Sequence, residues 1–177
     1  MMVRKIAVNV ARLVIAMTFI LSGFVKAVDP LGTQYKIVDY LKAMQLGTFV
    51  PDFLTLTASV LLSAVEFGLG ICMLFAIRRR LVSLLALCMM IPMTALTLWL
   101  AVANPVTDCG CFGDAVTLTN WQTFTKNVVL LGCVAIVRYR PLDMMRFVSK
   151  TNQWIVTNYS MLFIFAVSAW SLYDLPQ

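Results

Sequence analysis

Two cysteines separated by one glycine, Cys109-Gly110-Cys111, sit in a short polar stretch between long apolar runs. A thiol pair at this spacing can exchange with other disulfides, close as a static bridge, or contribute to a metal site. Gly110 permits the tight turn that brings two Cα atoms within the roughly 6.8 Å a disulfide spans. A ring so small is strained, and strain makes a disulfide easier to reduce, which suits exchange. A staple over so short a loop adds little stability, because the gain grows with the length of chain enclosed. Structural zinc usually takes four ligands from Cys and His, and this chain has no His. Asp108 and Asp114 flank the pair; their charge disfavours the thiolate and counts against a very reactive thiol. Redox exchange is the favoured reading, a static disulfide the second and a metal site the last. The lack of His also removes the commonest general base and any His-based triad.

Glu66 lies in the middle of an apolar segment. A carboxylate at that depth costs at least about 2.5 kcal/mol unless it is paired or neutralised. It must face other helices, and Arg12 and Lys26 on the first segment are its candidate partners. Three roles are open to it: proton carrier, hydrogen-bond partner of a quinone, or interhelix glue. Cys72, Cys88 and Cys133 fall inside apolar runs and read as small buried hydrophobes. Met89, Met90 and Met93 read as core filler. Ser22-Gly23 and Gly68-x-Gly70 permit close packing of neighbouring helices.

The elements that must position these residues are membrane helices. Of 177 residues, 61% are hydrophobic and 12% charged, against the roughly 25% charge of a soluble domain. Mean hydropathy is +0.88. Apolar segments occupy about 6–28, 53–77, 81–103, 120–137 and 153–173, each read as a transmembrane helix of one single-domain bundle. The first follows Arg4 and Lys5 as a signal peptide would, but no small-x-small cleavage site follows it, so it is read as retained. Pro92 should kink the third span. Thr119-Asn120-Trp121-Gln122 reads as a capping box for the fourth. The charge of +6 serves topology rather than nucleic-acid binding. Arg4, Lys5, Arg78, Arg79, Arg80, Arg138, Arg140, Arg146 and Lys150 all fall on one side of a five-span arrangement. The positive-inside rule makes that side cytoplasmic. The amino terminus is then inside, the carboxyl terminus outside, and both loop thiols on the oxidising face, where disulfides persist.

The first outer connection carries its own helix signal. Asp29 suits an N-cap, Pro30 the first helical position and Gly47 the stop. Leu31, Tyr35, Val38 and Leu41 form an apolar stripe, with Thr33, Gln34, Lys36, Asp39 and Lys42 facing away. This predicts an amphipathic helix over about 30–46, on the outer interface or capping the bundle.

Phe19-Ile20-Leu21-Ser22-Gly23-Phe24-Val25-Lys26 resembles the opening of DoxX-type membrane proteins, and Glu66 with Gly68 and Gly70 resembles the acidic second-helix motif of that group. Asp108-Cys109-Gly110-Cys111-Phe112-Gly113-Asp114 is similar to the loop of MauE-like proteins, the redox-associated branch of the same superfamily. Pro30-Leu31-Gly32-Thr33 looks most like Bacteroidetes-type members. The resemblance covers the first four spans. It implies a four-helix core and a role in extracytoplasmic thiol or sulfur redox chemistry, or in maturing a disulfide-bearing partner. One departure stands out: disulfide-generating membrane proteins such as vitamin K epoxide reductase relay electrons through a second outer thiol pair, and this chain has none.

Taken together, the expectation is an all-α integral membrane protein of the bacterial inner membrane: a four-helix DoxX-like bundle, a fifth transmembrane helix and one amphipathic outer-interface helix. Its function is expected to be thiol–disulfide redox exchange on the extracytoplasmic side. Cys109, Cys111 and Glu66 carry the chemistry there. Ser22 and Lys26 line a polar cavity that handles a proton or a quinone, and no metal is expected. The partners are the lipid bilayer and a thioredoxin-fold or other cysteine-containing protein, with no nucleic acid. The competing expectation is a non-enzymatic anchor or assembly subunit with a structural C-x-C disulfide.

Overall fold

The computed structural model describes residues 2–44, 50–103, 119–149 and 151–174. Within them the chain is all helix: α1 (Met2–Val28), α2 (Pro30–Ala43), α3 (Asp52–Leu74), α4 (Arg79–Ala103), α5 (Asn120–Tyr139) and α6 (Gln153–Asp174), with one 3-10 turn at Pro141–Asp143. Four of these helices, α1, α3, α4 and α6, are long and apolar enough to cross a bilayer. α5 falls short in apolarity and not in length: its 20 residues reach roughly 30 Å, the thickness of the hydrocarbon layer. Its polar first half holds Asn120, Thr123 and Asn127, all buried in the protein rather than turned outward.

Helix ends follow local chemistry. The Asp29 side chain caps α2 by accepting from the Gly32 amide at 2.8 Å, with Pro30 at the first turn as the sequence predicts. Gly47, the expected stop, lies outside the described residues. The capping box of α5 is formed: Gln122 N–H donates to Thr119 Oγ1 at 3.3 Å and Thr119 N–H to Gln122 Oε1 at 3.1 Å. α3 ends at Leu74, short of the expected Ile77. Ala76 and Arg78 take left-handed backbone angles, φ 53° and 38°, and this breaks the helix into a turn that sends the chain back as α4. Pro92 is accommodated inside α4.

α1 is the central element. It packs against α3 and α5, while α4 pairs with α5, α2 with α3, and α6 lies against α3 and α1. The core between them is built from Val8, Ile15 and Phe19 of α1, Met73 of α3, Ala86 and Met90 of α4, and Val134 of α5. α1 and α3 approach almost backbone to backbone. A Cβ on Gly23 would stand 2.5 Å from the Phe67 amide nitrogen, and one on Gly70 2.8 Å from that of Ile20. Small residues let helices meet this closely where lipid supplies no hydrophobic drive between them.

The two ends of the bundle differ. At one, the segment after α5 is strapped down by basic side chains: Arg4 to Asp143 at 3.0 Å, Arg12 to the Met145 carbonyl at 2.6 Å, and Arg79 to the Leu142 and Met144 carbonyls, both at 2.8 Å. At the other lie α2, the start of α3, the end of α4 and the start of α5; Ser171 of α6 bonds the Val28 carbonyl there.

α2 exists where the sequence places it, but its inward face is corrected. Pro30, Thr33 and Gln34 are the buried residues, and Tyr35 is exposed. The polar pair is buried because it is satisfied: Gln34 donates to the Asp52 carbonyl and to Thr55 Oγ1, each at 3.1 Å, and Thr33 to the Asp29 carbonyl at 3.2 Å.

Candidate functional site: a buried ion pair between the helices

In the last two turns of α1, Ser22 and Lys26 meet Glu66 of α3. The residues at positions 22 and 26 are one helical turn apart, so both side chains project from one face of α1. The Gly23 contact brings that face onto α3. Lys26 Nζ lies 2.7 Å from Glu66 Oε1, 2.6 Å from Oε2 and 2.9 Å from Ser22 Oγ. Ser22 Oγ donates to Glu66 Oε2 at 2.7 Å. The three N–H bonds of the ammonium therefore find three acceptors. Relative exposures of 8% for Ser22, 5% for Lys26 and 6% for Glu66 place the cluster inside the protein. A buried pair persists when geometry and additional hydrogen bonds offset the loss of hydration, and both conditions hold.

Two cavities meet at this cluster. A small one of about 40 Å³ is lined by Ser22, Lys26 and Glu66 together with Thr18, Met89, Met93 and Asn127. At about 10–15 Å³ per water, it has room for one to a few waters. A larger one of about 290 Å³ lies beneath α2, walled by Ile37, Tyr40 and Leu41 of α2, Leu62 of α3, and Met93, Leu96 and Thr97 of α4; Lys26 lies in its wall as well. The ammonium thus stands between a small pocket it shares with Glu66 and Asn127 and a larger, mostly apolar chamber. Asn127 donates to Thr97 Oγ1 at 3.2 Å, joining α5 to α4 beside both cavities.

Residues 4–140 match the family described as methylamine utilisation protein MauE. The chain belongs to the MauE family. The match takes in α1 to α5, and α6 lies beyond it. MauE is a DoxX-like membrane protein family, in keeping with the resemblance of the α1 and α3 motifs. No curated protein and no solved structure matches this chain.

In this MauE-family chain the structure unites Ser22, Lys26 and Glu66 of the residues singled out from sequence. Arg12, the other candidate partner of Glu66, is elsewhere: its guanidinium bonds Met145 and lies over the Phe147 ring at 5.1 Å from the centroid. Cys109 and Cys111 lie outside the described residues, as does the 104–118 part of the loop. Among the described residues no group of three or more His, Cys, Asp or Glu is arranged to hold a metal. Sequence reasoning missed Thr97 and Asn127, and it read Met89 and Met93 only as filler. It also missed a stripe on α3. Thr55, Ser59 and Ser63 are all buried, spaced four apart, and lead to Glu66. Ser59 donates to the Pro30 carbonyl at 2.7 Å. That i, i+4 recurrence of small polar residues was the readable signal of a face turned into the bundle.

Proposed function

We propose that this MauE-family membrane protein is a thiol–disulfide redox protein of the bacterial inner membrane, working on its extracytoplasmic side. Cys109 and Cys111 are the exchanging pair, with a thioredoxin-fold or other cysteine-bearing protein as partner. The observation that carries this reading is connectivity. The loop bearing both thiols joins α4 to α5, and Thr97 of α4 and Asn127 of α5 stand beside the cavities of the Ser22–Lys26–Glu66 cluster. A buried ionisable pair inside a membrane bundle is a functional candidate by default. The family adds a redox or maturation setting to that geometry.

In this reading the basic end of the bundle faces the cytoplasm, by the positive-inside rule, and five helices, α5 included, cross the membrane as one domain. A thiolate of the partner attacks the Cys109–Cys111 disulfide and expels one loop thiolate, which takes a proton. The second partner thiol, giving up its proton, then attacks the mixed disulfide and expels the other loop thiolate, leaving the partner with a disulfide and the loop as a dithiol. Two electrons and two protons pass in total. A membrane quinone is the proposed oxidant that takes those two electrons and two protons from the loop dithiol and restores its disulfide. The chamber beneath α2 would hold its ring, with Lys26 turning one N–H from Ser22 to a quinone oxygen and Glu66 handling the proton.

Trapping tests the reading. In Cys109→Ser and Cys111→Ser variants the helices stay packed, and the remaining thiol of at least one variant holds a partner as a mixed disulfide on a non-reducing gel. Folded variants that trap nothing would instead favour an anchoring or assembly subunit whose C-x-C pair is a fixed clip.

A further inference from the structure

We propose that the protein carries a site for an anionic phospholipid in the side of the bundle at its basic end, where α6 leans on α3 and leaves a groove toward α4. The groove encloses about 530 Å³ and its lining is graded. At the basic end it is polar, with Arg78 in the turn between α3 and α4, and Gln153 and Asn158 in the first turns of α6. Further in it is walled by Val65, Leu69 and Leu85. That order, cation and amides at the rim and branched apolar side chains within, matches a lipid headgroup followed by an acyl chain.

Charge selects the occupant. No acidic residue lines the groove among the described residues. The neighbouring Arg79 is turned to the carbonyls of Leu142 and Met144, so Arg78 is the guanidinium set at the groove itself. Arg–phosphate contacts are charge-assisted and favour negatively charged headgroups. Trp154, an exposed side chain on the first turn of α6, lies at the rim, where an indole suits the headgroup level of a bilayer. The site is separate from the Ser22–Lys26–Glu66 cluster and does not depend on the redox reading.

Trp154 supplies the readout. The full chain carrying Trp99→Phe, Trp121→Phe and Trp170→Phe keeps one indole, at the groove. It is reconstituted in phosphatidylcholine vesicles that contain a minor fraction of brominated phosphatidylglycerol or of brominated phosphatidylcholine, bromine being a contact quencher. One phosphate–arginine attraction at a membrane surface corresponds to about a fivefold preference, so the brominated phosphatidylglycerol quenches at several-fold lower content. Arg78→Gln removes that preference, and Arg80→Gln, a like loss of charge two residues along and outside the groove lining, retains it. Leu85→Phe, which fills the inner part, lowers quenching by both lipids. Equal quenching by the two lipids in the parent chain overturns the proposal. A preference lost equally in both arginine variants overturns it as well, because diffuse surface charge then suffices. Quenching by neither lipid, with concentration-dependent self-association through this face, replaces the lipid with a second copy of the chain.

Discussion

Lys26 and Glu66 satisfy one another so completely that the two single substitutions have unequal effects. In Glu66→Gln the amide oxygen still accepts from Lys26 and the side-chain volume is kept, so the bundle folds while redox turnover falls. Wild-type turnover in a folded Glu66→Gln protein would end the proposed role of this carboxylate. Lys26→Met strands the carboxylate with Ser22 as its remaining donor in the cluster. Breaking a buried pair in this way costs about 3–5 kcal/mol, and adding Glu66→Gln to Lys26→Met recovers part of the loss. Thermal unfolding of the three proteins in one detergent measures this; additive losses would show that the two residues do not act as a pair. At this scale much of the site is legible: a lone acid in an apolar run has to find a partner, and the basic residues within the apolar run of α1 are Arg12 and Lys26. Hydropathy does not choose between them, because the choice depends on the sliding register of α1 against α3. The close contacts at Gly23 and Gly70 fix that register.

The glycines therefore act at the level of whole helices. Gly23→Ala places a methyl group against the backbone of Phe67 and must push α1 from α3, at a cost of about 1–3 kcal/mol and with Lys26 drawn away from Glu66. Gly132→Ala on α5 meets nothing within 4 Å and should be neutral, or stabilising by up to about 1 kcal/mol through helix propensity. Equal melting temperatures for the two variants would contradict the close-contact view of the α1–α3 seam. Helix positions were the most readable part of the chain, since long apolar runs, Asp29 with Pro30, and the Thr119 capping box are all local signals. The inward face of α2 was not readable in the same way. Leu31, Tyr35 and Val38 look like the side to bury, yet Thr33 and Gln34 are buried: Thr33 is satisfied by the Asp29 carbonyl of its own turn, and Gln34 by acceptors at the start of α3 that only the folded chain brings near. The polar residues of α5 are accommodated for a related reason: Asn120, Thr123 and Asn127 are turned into the protein.

For the whole molecule, the basic and loop ends of the bundle set what each compartment sees. With the arginine-rich end in the cytoplasm, a membrane-impermeant thiol reagent labels reduced Cys109 or Cys111 in intact spheroplasts. Labelling only after the membrane is opened would reverse the orientation and remove the pair from the oxidising side. The central claim is that this pair exchanges electrons rather than clipping a loop. A redox titration of the purified full chain, read as an alkylation shift on Cys109 and Cys111, tests it most directly. The pair is expected to titrate as a two-electron couple with a midpoint well above the roughly −300 mV below which structural disulfides lie. A midpoint below that value would make the pair a structural clip and the bundle a scaffold.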